Sequence, residues 1–208
     1  MIEDFLRALL KAPPSQRRVR QDLAFMAEQI KDWKETIIPW EADQEMELLS
    51  LNQEYKWVKH SPGRILKGVF SSIYHEPMVA YAYKAYLKAG QFSLCLAATK
   101  LHQFIFQRQK VRTDFFIDGE HVGFITPEWL VYSQRRRLLA RRNRYSSDYY
   151  TVVVWDQEVA QLRDPQRIDR VNPRAFEVMA KLSEKEQLLL MAIAFLTMIE
   201  ESHGLIPG

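Results

Sequence analysis

The stretch Leu188–Ile199 runs for twelve residues without a charge, and Thr197 is its one polar side chain. Ser183 stands ahead of it with Glu186 three positions on. Such a pair caps a helix reciprocally: the hydroxyl accepts from the third helical N–H, and the carboxylate accepts from the cap's own N–H. Gly204 follows, where a left-handed residue ends a helix. Three turns of this predicted helix therefore carry no polar face. A helix that is apolar all round must be surrounded by apolar material, and a bilayer span needs roughly 20 such residues. The surround has to be protein, and the rest of the chain has to build it.

The preceding residues read as strands. From about residue 64 the pattern changes from helix period to strand period. Ile65–Tyr74, Met78–Leu87, Gln91–Ala98 and Gln103–Lys110 are rich in β-branched and aromatic residues. Asp118-Gly119 separates Thr113–Ile117 from Glu120–Ile125 and marks a two-residue type I′ hairpin, because both central positions need φ > 0. Val152–Leu162 has the same plan: an apolar run, an acidic turn at Asp156, then Val159-Ala160 answering Val122-Gly123 at an offset of 37. A fainter echo passes through His75–Ala80. Repeated hairpins predict an antiparallel meander rather than βαβ units, and about nine or ten strands can be counted. The expected fold class is α+β: an antiparallel meandering β-barrel, or a strongly curved sheet, around the apolar C-terminal helix.

The first 40 residues read as amphipathic helix. Phe5, Leu6, Leu9 and Leu10 form an apolar face ended by Pro13-Pro14, and Ser15 is placed to cap the next helix. There Val19, Leu23, Met26, Ile30, Trp33 and Ile37 recur at spacings of 4, 3, 4, 3 and 4 until Pro39. This is an a/d stripe. It is buried either against the chain's own body or, through residues 15–37, against a partner helix or a second copy. The expected division is 1–60 as an N-terminal helical extension and 61–208 as the barrel domain.

Cys95 is the single cysteine, there is no Asn-x-Ser/Thr sequon, and the start Met1-Ile2-Glu3-Asp4 is acidic where a signal peptide is basic. These features predict a reducing, cytoplasmic location, with Cys95 an inert buried thiol. No nucleotide-binding, nucleophile-elbow or metalloprotease motif occurs. His60, His75, His102, His121 and His203 show no ligand spacing. His75-Glu76 and Glu120-His121 are strand neighbours that face opposite ways. The expectation is a non-enzyme with no metal and no cofactor.

Charge is unevenly placed. Residues 61–144 hold 14 Lys/Arg against 5 Asp/Glu, and 151–208 hold 6 against 9. Arg135, Arg136, Arg137, Arg141, Arg142 and Arg144 form the densest group, followed by Tyr145, Tyr149 and Tyr150. Guanidinium forks match phosphate oxygens. These six arginines are the candidate ligand-binding residues, for an anionic phospholipid at a membrane surface or, in a second reading, for nucleic acid. The competing interpretation is a charge network neutralised from within. On a strand, Arg135, Arg137 and Arg141 share one face and Arg136 and Arg142 the other.

The hairpin Phe115–Ile125, the basic stretch Arg135–Arg142, the second hairpin through Asp156 and the helix opened by Glu184–Leu190 occur in an order that resembles the tubby C-terminal, phospholipid scramblase and LURP-one-related superfamily. The resemblance covers roughly residues 64–203. It implies a closed antiparallel barrel enclosing an apolar C-terminal helix. It also implies a regulatory or lipid-associated role, since some members bind phosphoinositides through basic barrel faces.

Overall fold

Strand follows strand through most of the chain, each paired antiparallel with the next. The computed structural model describes residues 13–40, 43–61, 63–86, 92–167 and 174–205; the predicted helix through Phe5 and Leu10 lies outside them. Twelve strands are present among the described residues, in the order β1 to β12. They are β1 Leu49–Lys59, β2 Arg64–Ser72, β3 Pro77–Tyr86, β4 Phe92–Ala98, β5 Gln103–Gln109 and β6 Arg112–Ile117. Next come β7 Glu120–Ile125, β8 Leu130–Ser133, β9 Leu138–Arg144, β10 Tyr149–Val154, β11 Gln157–Arg163 and β12 Phe176–Val178. The ends of the sheet meet where Ser50 bridges Arg174 and the Ala175 N–H donates to the Leu49 carbonyl at 2.8 Å. The result is a nearly closed up-and-down barrel.

Helices flank this sheet: α1 Gln16–Thr36, α2 Asp43–Met46 and α3 Glu184–Ser202. The apolar helix α3 fills the barrel. Every residue from Leu189 to Glu201 is buried, and inward side chains such as Phe70, Tyr81, Phe104, Phe106 and Phe115 belong to the same core. The reciprocal cap forms as expected, with Glu186 and Ser183 exchanging contacts. Among the described residues no helix is long and apolar enough to cross a membrane.

Helix α1 lies outside the barrel, across β2, β3 and β4. Ser15 caps it by accepting from the Arg18 N–H. Its stripe residues Val19, Met26, Ile30 and Ile37 are buried with Ile65, Ala80, Ala82, Leu94 and Leu96. This explains why all seven residues of β4 are buried. Cys95 and Ala97 face the inner core, while Leu94 and Leu96 sit beneath the helix. The stripe that sequence offered to a partner or a second copy is thus covered by the chain's own sheet.

Both echoing hairpins are two-residue turns with positive φ at each central position. The values are 50° and 85° at Asp118-Gly119, and 48° and 65° at Trp155-Asp156. The sequence division fails at one place. Leu49–Lys59, assigned to the helical extension 1–60, is strand β1. Glu54 to Trp57 are exposed on both faces, so the segment carries no alternation to read.

Candidate anion-binding site

Strand alternation divides the arginine cluster. In β9, Arg142 is opposite the core residue Val152 and Arg141 is opposite Val153. Arg142 therefore points into the barrel and Arg141 points out. Arg135, Arg136 and Arg137 lie on no strand; they form the β8–β9 turn.

Two of the six candidate ligand-binding arginines have internal carboxylate partners: Arg142, buried in the barrel, and Arg144, exposed at its rim. Arg142 Nη1 is 2.6 Å from Glu201 Oε1 of α3 and donates to Thr197 Oγ1 at 2.9 Å. Its guanidinium lies 3.5 Å from the Trp129 ring centroid and 4.1 Å from that of Tyr150. Tyr150 donates its hydroxyl to the other Glu201 oxygen at 2.8 Å. Burial, together with the charge of Glu201, pushes the Tyr150 phenol up to about 12. Arg144 Nη2 is 2.9 Å from Asp164 Oδ2. Both arginines are neutralised from within.

The outward group is different. Ser133 clamps the turn: its N–H donates to the Arg137 carbonyl at 2.9 Å, its carbonyl accepts from the Arg136 N–H at 2.9 Å, and its hydroxyl accepts from the Arg137 N–H at 3.1 Å. Arg136 takes a φ of 60°. This holds three consecutive exposed arginines on a tight loop. Among the described residues no carboxylate lies within ion-pair range of Arg135, Arg136, Arg137 or Arg141. The Arg137 guanidinium sits 5.1 Å over the Trp155 ring. Arg141 has a buried Nε without a hydrogen-bond partner, and buried donors are normally satisfied. Arg137, Arg141, Val153, Trp155 and Asp156 border a hollow of about 180 Å³. Trp155 is 41% exposed and Leu138 37% exposed beside it.

Trp155 was not anticipated as part of the site. An acidic turn was legible at Asp156, but the place of Trp155 in that turn and over Arg137 depends on the β9–β10–β11 register. The histidines also gained partners distant in sequence. His60 is 2.6 Å from Asp22 and His102 is 2.7 Å from Asp118. No group of metal-ligating residues occurs among the described residues. Cys95 is buried, and burial holds its thiol well above the usual range.

These features define a twelve-stranded antiparallel barrel on an apolar helix, with a basic turn at one rim. Comparison with family models, curated proteins and solved structures finds no match.

Proposed function

We propose that this chain is a non-enzymatic regulatory barrel that docks on an anionic phospholipid surface through the β8–β9 turn. The observation carrying this reading is the exposed run Arg135, Arg136 and Arg137, which has no ion-pair partner among the described residues and lies next to Trp155 and Leu138. A charge network serving stability is neutralised from within, as Arg142 and Arg144 are; a surface meant for phosphate is not. Arginine forks suit phosphate oxygens, and a half-exposed tryptophan and leucine suit the interfacial zone above them.

Topology supports the same orientation. In a meander, the turns that follow even-numbered strands collect at one rim. That rim also presents Tyr74 in the β2–β3 turn, 68% exposed, and Leu101 in the β4–β5 turn, 62% exposed. The basic turn and these tips share that rim, while Val111 and Tyr145 are similarly exposed at the other. The resemblance to the tubby and scramblase superfamily points to the same class of ligand.

The test is sedimentation with phosphatidylserine-containing vesicles at low and high salt. Arg136→Glu/Arg137→Glu is expected to weaken binding more than about tenfold, since each basic contact near an anionic leaflet is worth about 1 kcal/mol. Thermal stability should hardly change. Wild-type protein that ignores anionic vesicles, or a variant that binds them equally well, overturns the proposal. Binding to oligonucleotides in place of vesicles moves the site to the nucleic-acid reading.

A further inference from the structure

The opposite rim of the barrel has an opening between the β5–β6 turn and the loop joining β7 to β8. Its volume is about 140 Å³. At about 10–15 Å³ for each water-sized position, this admits a ligand on the order of ten non-hydrogen atoms. Leu196 of α3 lines it, with Ile125 and Trp129 adding apolar surface. Arg108, Lys110 and Arg112 supply its cations.

Two of those cations are answered and one is not. Arg108 Nη2 is 2.5 Å from Glu200 Oε2, and Arg112 Nη2 is 3.2 Å from Asp114 Oδ1. Lys110 is exposed and has no carboxylate within ion-pair range among the described residues. Arg108 also retains a buried Nε without a hydrogen-bond partner.

One uncompensated positive charge, a partly exposed Arg108 guanidinium and apolar surface border the same small opening, which suits an anion with a short hydrocarbon body. We propose that this opening binds a small amphiphilic carboxylate. The carboxylate accepts from Arg108 and Lys110, and the hydrocarbon body lies against Leu196, Ile125 and Trp129. A longer body would exceed the volume. The site is independent of the basic turn, which occupies the other rim.

Hexanoate is the probe, followed by calorimetry on the full chain at neutral pH. Hexanol keeps the hydrocarbon body without the charge, and acetate keeps the charge without the body. Saturable hexanoate binding is expected, weaker by about tenfold or more for each comparator and for Lys110→Glu. Leu196→Phe should also weaken it by filling the opening, while Arg136→Glu/Arg137→Glu should leave it unchanged. Hexanoate uptake that never saturates, or that is equal in Lys110→Glu, overturns the proposal. Lys110 is exposed, so its variant remains decisive should Leu196→Phe fail to fold.

Discussion

Asp22 lies on the sheet-facing side of α1 with its side chain closed to solvent. Lys84 Nζ of β3 stands 2.9 Å from it and His60 Nε2, just past β1, 2.6 Å. The Tyr86 hydroxyl donates to it as well. Burial alone would raise this carboxyl, but hydrogen bonds from Tyr86, Lys84 and His60 outweigh that and hold it at about 2, against 3.8 ordinarily. A depressed carboxylate contributes stability that is complete above its unfolded pKa. Roughly 2 kcal/mol should therefore be lost as pH falls from about 4 through about 2, readable in urea unfolding across that window. Asp22→Asn strands the buried Lys84 ammonium and should cost about 3–5 kcal/mol. Adding Lys84→Met should recover much of it. An Asp22→Asn protein as stable as wild type would show that this node does not hold α1. None of this was legible in the sequence, because Asp22, His60 and Lys84 are far apart along the chain. The arginine cluster was legible as a composition, and its division between Arg141 and Arg142 followed from strand alternation. Which of the two faced inward was not, since that depends on what lies on each side of β9.

Among the elements, the two type I′ hairpins and the capped apolar helix were readable because each is specified by adjacent residues. Gly119, at a φ of 85°, should not tolerate Val: a loss of about 1 kcal/mol or more is expected by chemical denaturation, since a β-branched residue resists positive φ. Gly123 is constrained for another reason. A Cβ there would stand 1.9 Å from the Tyr132 carbonyl oxygen of β8, so Gly123→Ala should separate β7 from β8 and lower stability more than Gly119→Ala. Comparison of their melting temperatures tests that order. For α3, Ile193→Asp places an unpaired carboxylate where no side is open, at several kcal/mol, and soluble, cooperatively folding protein would refute the enclosed helix. The strands that escaped detection lack local signal: β1 is exposed on both faces through Glu54–Trp57, while β8 and β12 have four and three residues.

At the scale of the whole molecule, the barrel has two unlike rims. Both carry exposed apolar tips, Tyr74 and Leu101 on one and Val111 and Tyr145 on the other; the first adds the arginines that have no ion pair among the described residues, and the second holds Arg108, Arg142 and Arg144 with their carboxylate partners. Helix α3 crosses between them with Glu200 and Glu201 near its end, so core and charged rim are joined through one element. Burial pushes Glu200 up to about 7, opposed by Arg108 and Arg142. A carboxyl raised in this way favours the folded state fully below its unfolded pKa, and that contribution fades as pH rises from about 4.5 to about 7. Glu200→Gln should flatten the stability profile over that range in thermal melts. The position of α3 also sets the order of assembly during synthesis. The helix that all the strands enclose is made after every one of them. Until it leaves the ribosome, the nascent strands have nothing to close around, and their inward aromatic rows stay open to neighbouring chains. Such a protein meets its greatest risk of aggregation while it is being born.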